Sequence, residues 1–213
     1  MLKQVFLVRH AQSEEDVKPS MHNSVSDRRI SITAIGKRQT LETVEILSPK
    51  ISTYQRVKII TSPSNRAEQT MSSFCSSFPL IDFDLMIESR IRNLNWGNVD
   101  ESTIKEVEKE RYRVGVLHFQ FPQGDYTPDF VRDIECFVEE LKEEGKSENY
   151  PECAIVFTHG FALRIIVKAF LAVSDEEFRF FANPPNCYVA ILDNVDSGKF
   201  VLREPLPKIN FHV

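Results

Sequence analysis

Three short stretches carry residue types suited to moving a phosphoryl group. They are Arg9-His10-Ala11-Gln12-Ser13, Thr61-Ser62-Pro63-Ser64-Asn65-Arg66 and Thr158-His159-Gly160. A phosphoryl group in flight spreads negative charge over three oxygens, so its transfer depends mostly on positioning and on cations that clamp those oxygens. Arginine offers a planar fork that grips phosphate bidentately, which lysine cannot copy. A neutral imidazole, with an unperturbed pKa of ~6.5, is a competent nucleophile and can form a covalent phospho-enzyme. A second imidazole, when protonated, adds a donor to the oxygens. Gly160 permits close approach, and a helix starting there adds a positive dipole. Taken singly, each residue has an ordinary structural reading: Arg9 in a salt bridge, His159 as a satisfied core histidine, Arg66 as a partner on a helix surface. Those readings do not predict the joint occurrence.

The elements that must position these groups are legible as apolar runs at Gln4–Val8, Val57–Thr61, Ala154–Thr158, Tyr188–Leu192 and Phe200–Leu202. Their core residues are consecutively apolar rather than alternating, which suits strands covered on both faces, as in a parallel sheet. The three chemical stretches sit at the carboxyl ends of the first three runs, where ligands bind in open α/β sheets. Between the runs lie helical patterns. The clearest is the stripe Phe130, Val131, Ile134, Phe137, Val138, Leu141, with Thr127 as its expected cap and Pro128 in its first turn. Thr33 to Leu47, Asn65 to Phe78 and Gly160 to Val173 read as helices, the last mostly buried, and Glu101 to Arg113 as a charged surface helix. Alternation of strands and helices predicts an α/β domain. With no repeat, low-complexity linker or charge block, one domain over residues 1–213 is expected.

Composition narrows the function. A net charge of −5 argues against a broad nucleic-acid surface, which wants a basic face, but leaves room for a small basic pocket. No apolar run approaches the ~20 residues needed to cross a bilayer, so no membrane partner is expected. The first nine residues lack the features of a signal peptide. Cys75, Cys136, Cys153 and Cys187 are widely spaced, and a chain of 213 residues needs no staples, so free thiols in a reducing, cytoplasmic setting are expected.

The same residues resemble the histidine phosphatase superfamily, the phosphoglycerate-mutase-like enzymes. Arg9-His10-Ala11 is similar to its R-H-G signature, Ser62–Thr70 matches S-P-x-x-R-A-x-Q-T in full, and His159-Gly160 is similar to its late H-G pair. Ile32–Gly36 resembles L-T-x-x-G, and Arg90–Asn98 resembles the R-L-R-E-x-x-W-G-N stretch of a phosphatase-type branch. Phe180–Leu192, with Asn183-Pro184-Pro185-Asn186-Cys187, is similar to that branch's closing strand. The resemblance implies a three-layer α/β/α fold with a mainly parallel central sheet. It implies His10 as the phosphorylated nucleophile and Arg9, Arg66 and His159 as the phosphate pocket, with no metal and no organic cofactor. Ser13, Arg92, Asn93 and Gly160 are expected around the substrate.

Three departures bear on activity. Ala11 replaces a glycine, Asp16 stands where the family places a phosphate-binding asparagine, and Asn93 stands where it places the glutamate proton donor. An amide cannot protonate a leaving alkoxide. The paired exchange suggests that Asp16, its pKa raised beside a phosphate dianion, supplies the proton, with Glu88 and Asp125 as rival donors. The expected function is a phosphatase acting on a small phosphorylated metabolite or a phosphohistidine protein. Phosphoglycerate mutase and a phospho-ligand-binding pseudoenzyme are the alternatives. Arg28, Arg29, Arg90 and Arg92 are candidate contacts for further anionic groups, against a solvated role. Loops at Met21-His22-Asn23 and Tyr112–Tyr126 are expected over the site. Neither substrate identity nor oligomeric state is legible.

Overall fold

The computed structural model describes residues 1–18, 26–100, 102–196 and 198–209. One six-stranded sheet organises them: β1 (Gln4–Arg9), β2 (Arg56–Thr61), β3 (Asp82–Ile87), β4 (Cys153–Thr158), β5 (Val189–Asp196) and β6 (Lys199–Leu202), in the order β3-β2-β4-β1-β5-β6. The first four are mutually parallel, and β5 runs antiparallel to both β1 and β6. The sheet is therefore mixed, with a parallel centre.

Helices cover both faces, because the central strands are apolar on both. Along β1, Val5 and Leu7 pack into one core with α5 (Thr127–Glu144) and α6 (Gly160–Leu171). Phe6 and Val8 point the other way, into a second core with α2 (Ala34–Ile51) and α3 (Asn65–Cys75). All six residues of β4 are buried. The α5 stripe fills the first core through Phe130, Ile134, Phe137, Val138 and Leu141, each such burial stabilising by about 1.5–3 kcal/mol. The remaining helices are α1 (Glu14–Val17), α4 (Ile104–Val114) and α7 (Asp175–Phe178). This is the three-layer α/β/α architecture.

Several boundaries differ from expectation. Thr127 is the first residue of α5 rather than its cap, a position taken by Tyr126, and the buried Thr127 hydroxyl has no hydrogen-bond partner. Helix α2 runs through Pro49 to Ile51, α3 stops at Cys75, and α4 starts only at Ile104. Tyr112–Tyr126 is not a loose loop: it begins inside α4, and Leu117, Phe119 and Phe121 are buried core. The expected loop at Met21-His22-Asn23 lies outside the described residues.

Candidate active site

Strand order places the three chemical stretches side by side. β4 lies between β2 and β1, with Arg9 opposite Thr158 and Thr61 opposite Phe157. The residues that follow therefore emerge together at one sheet edge. The His10 and His159 rings are 5.2 Å apart between centroids and tilted by 57°. Arg66, in the first turn of α3, lies beside them, with Nη2 3.5 Å from His159 Nδ1. All three are buried, Arg66 to 1% exposure. They line a cavity of about 810 Å³ together with Arg9, Asn93 and Gly160.

Hydrogen bonds assign the ring tautomers. His10 Nδ1 lies 2.9 Å from the Ala11 carbonyl, which can only accept, so Nδ1 carries the proton and Nε2 keeps its lone pair. His159 Nδ1 faces an arginine, which can only donate, so its proton sits on Nε2 and is given to Ser62 Oγ at 2.9 Å. Burial and the charges of Arg66 and Arg9 push the His10 pKa down to about 3. Burial, with Arg66 next, holds His159 well below its usual value. Both rings are neutral in the ligand-free site.

Neighbouring segments hold this geometry. Thr70 Oγ1 accepts from Ala11 N at 3.0 Å and donates to the Arg66 carbonyl at 2.7 Å, tying the segment after β1 to α3. The methyl of Ala11 is fully buried beside these bonds, so the departure from glycine is accommodated. Cys187, in the left-handed region at φ 58°, turns its N–H toward the Arg9 and His10 carbonyls, and Asn186 Nδ2 donates to His10 O at 3.2 Å. At Gly160 a Cβ would lie 2.0 Å from Asn183 Oδ1, so a side chain there would displace Asn183 from the cavity wall.

A depressed histidine pKa has a consequence for stability. The unfolded chain protonates His10 near 6.5 whereas the folded chain resists down to about 3, so stability is complete above pH 6.5 and is lost as pH falls through that window. In phosphate-free buffer, the melting temperature of a His10→Asn variant should therefore decline less between pH 7 and 4 than that of the parent. Parallel declines in thermal scans would show that His10 is not held neutral by the fold.

The three carboxylates expected as proton donors are each bonded to an arginine. Asp16 Oδ1 accepts from Arg9 Nη2 at 3.1 Å, and Oδ2 accepts from Ser13 N at 2.8 Å and Ser13 Oγ at 2.7 Å. Burial alone would raise its pKa, but the Ser13 bonds and the Arg9 charge act against burial, and the carboxyl is held below its usual value. The expected donor role calls for a phosphate dianion beside Asp16, whose like charge would raise this pKa. Glu88 is bonded through both oxygens to Arg90 and does not line the cavity. Burial would raise its pKa too, but the Arg90 bonds outweigh it and hold the carboxyl low. Asp125 forks onto Arg92 and accepts from Asn95 N, also away from the cavity. Arg90 and Arg92 are thereby spent on structure, and Arg28 and Arg29 are exposed. Ser13 is fully buried beneath Asp16 rather than facing the cavity.

Sequence reasoning missed Glu15, whose Oε2 lies 3.0 Å from Arg66 Nη1, and Asp27, whose Oδ1 lies 2.6 Å from the same nitrogen. It also missed Ser62 and Ser64 as the seat of His159; their place in the Ser62–Thr70 motif was the available signal. Carboxylates thus already occupy Arg9 and Arg66, and an incoming phosphate must compete with them there. Asp16→Asn removes one competitor while keeping an oxygen for the Ser13 bonds. It should tighten orthophosphate binding by about tenfold, or ~1.4 kcal/mol, as read by titration calorimetry. Unchanged affinity with slower cleavage of alkyl esters alone would identify Asp16 as the proton donor.

Comparison with known proteins gives the fold and the family. The chain is 24% identical to the phosphoglycerate mutase-like protein AT74 of Arabidopsis thaliana over 94% of its own length and 67% of that protein's. It is 29% identical to the broad-range acid phosphatase DET1 of Saccharomyces cerevisiae over 66% of its length and 45% of DET1. Among solved structures, a mycobacterial glucosyl-3-phosphoglycerate phosphatase superposes with a TM-score of 0.75 at 16% identity, covering 96% of this chain and 99% of that one. An Escherichia coli putative α-ribazole-5'-P phosphatase superposes with 0.73 at 15% identity, covering 98% and 97%. The sequence profile of the histidine phosphatase superfamily (branch 1) matches residues 5–204 and so spans all three strand ends that meet at this cavity: the chain belongs to that superfamily.

Proposed function

We propose that this chain is a phosphomonoesterase that works through a phosphohistidine on His10 and uses no metal. The observation that carries this reading is the His10 tautomer. With Nδ1–H given to the Ala11 carbonyl, the Nε2 lone pair is the reactive one, in a cavity wall that also holds Arg9, Arg66 and His159. In the first step Nε2 attacks phosphorus, the ester P–O bond breaks, and the leaving oxygen departs with the bonding pair and takes a proton from solvent water. In the second, water attacks the phosphohistidine, releasing orthophosphate and regenerating His10. Arg9 and Arg66 supply the positive charge that a metal would otherwise bring, once phosphate oxygens replace their carboxylate partners. The phosphate's own charge favours protonation of His159, which then donates to it.

A cavity of about 810 Å³ suits a small phosphorylated metabolite. Four free cysteines are in keeping with a cytoplasmic setting, and among the described residues no helix is long and apolar enough to cross a membrane. A second reading, a phospho-ligand binder without turnover, is favoured by Asn93 at the cavity wall and by the carboxylates on both arginines. The test is hydrolysis of p-nitrophenyl phosphate, whose leaving group needs no proton. Turnover that a chelator leaves within about twofold is expected. Binding of orthophosphate with no hydrolysis would favour the second reading, and loss of activity on chelation would refute metal independence.

A further inference from the structure

Helix α4 reads as a charged surface helix, yet it turns one residue inward: Arg111, 7% exposed, is its only buried side chain. The guanidinium sits among three aromatic rings, 4.7 Å from the centroid of Phe161, 5.3 Å from Trp96 and 5.5 Å from Phe121. Its Nε is buried without a hydrogen-bond partner, and no carboxylate pairs with it among the described residues. Arg164, one turn into α6, lies across the same Phe161 ring at 5.1 Å. Its Nη1 donates to the Phe181 carbonyl at 2.9 Å, and it too has no carboxylate partner among the described residues. Burial, and next the neighbouring charge of Arg111, lower the Arg164 pKa to about 10.

Among the described residues neither arginine has a carboxylate within salt-bridge distance, and the charge of Glu108 at the cavity wall reaches Arg111 only from further off. Two like charges so withdrawn from solvent are unfavourable unless something anionic joins them. The arginines beside His10 are matched: Arg66 by Glu15 and Asp27, Arg9 by Asp16. Arg111 and Arg164 differ from these in having no carboxylate, and both line the cavity that holds His10, with the charge of Arg9 reaching Arg164. Aromatic faces hold the guanidinium plane in place without using its N–H donors, which leaves them for a ligand.

We infer that Arg111 and Arg164 form a second anion subsite, and that the substrate is a phosphate monoester carrying another anionic group, a carboxylate or a second phosphate, on its leaving portion. This rests on the phosphatase reading for what happens at His10, but the subsite itself is a matter of binding. While Arg9, Arg66 and His159 hold the phosphoryl group, the far anion bridges the two cations beneath Trp96 and Phe161. Arg111 is then a specificity residue, and the aromatic cage its support.

The experiment uses phosphonates, which bind without being cleaved, so the result does not depend on turnover. Titration calorimetry of the full chain compares alkylphosphonates with ω-phosphonocarboxylates and α,ω-bisphosphonates of two to five carbons. At one chain length the second anion should improve affinity by at least about tenfold, the range of a charge-assisted pair, and the better of the two anions identifies the group recognised. Arg111→Gln should erase that preference, and Arg111→Lys should restore part of it. Equal affinities at every length in the parent protein would overturn the inference, and this arm holds even if the variants fail to fold. An Arg111→Gln variant that weakens all ligands by the same factor would also overturn it, showing a purely structural arginine. Cleavage of simple alkyl phosphates, measured alongside, reports separately on the phosphatase reading.

Discussion

Asparagine in place of His10 is expected to reduce hydrolysis of p-nitrophenyl phosphate by at least about 10³-fold while leaving orthophosphate binding within a few-fold. The asparagine amide can still donate to the Ala11 carbonyl in place of Nδ1, so the loop and the buried Thr70 bond to Ala11 N remain. What disappears is the Nε2 lone pair, and with it the covalent path. On the proposed reading binding rests on Arg9, Arg66 and His159, none of which is altered. Kinetics paired with calorimetry check the point. A variant that retains a tenth of the activity would mean that water is activated by another group and that His10 only lines the pocket.

The second large effect concerns the missing acid. Asn93 lines the cavity at the position where the glutamate donor is expected from the resemblance, while Asp16 is held ionised against Arg9. Moving one carboxylate, as the pair Asn93→Glu with Asp16→Asn, keeps the net charge constant and places the acid beside the leaving group. General acid catalysis is typically worth ~10²–10⁴ in rate. The double variant should therefore cleave alkyl phosphates at least about tenfold faster than the parent. Its rate on p-nitrophenyl phosphate should change by much less, because that leaving group departs without a proton. Activity on the alkyl esters should also fall as pH rises through the pKa of the introduced carboxyl, since only its protonated form is an acid. Equal gains on both substrates would place the effect in phosphate binding, and no gain on either would show that Asn93 is not at the leaving-group side.

The central sheet and the clustering of Arg9, His10, Arg66 and His159 were legible because β1 and β4 hold consecutive apolar runs, β2 is apolar but for Arg56, Lys58 and Thr61, and each ends in a distinct chemical group. Strand β3, Asp82–Ile87, was not. It is an edge strand of alternating character with Leu85 and Ile87 exposed, and it carries no buried run to betray it. Arg111 was hidden for a related reason: one inward arginine among exposed Lys, Glu and Arg does not disturb a charged-helix pattern. The pairing of Arg66 with Glu15 and Asp27 joins α3 to residues far away in sequence, so no local spacing could announce it. Asp16 was singled out for its type, but its protonation state depends on bonds from Ser13 and Arg9 that only the folded loop provides.

The phosphoenzyme itself is the most direct witness. A rapid quench of the chain with a ³²P-labelled phosphate ester should trap label that is stable to base and lost in acid, as phosphohistidine is. Peptide mapping should place it on His10, on Nε2 rather than Nδ1, because Nδ1 is committed to the Ala11 carbonyl. Label on Ser13 or Ser62, or no label at all despite measurable turnover, would contradict covalent catalysis by this histidine.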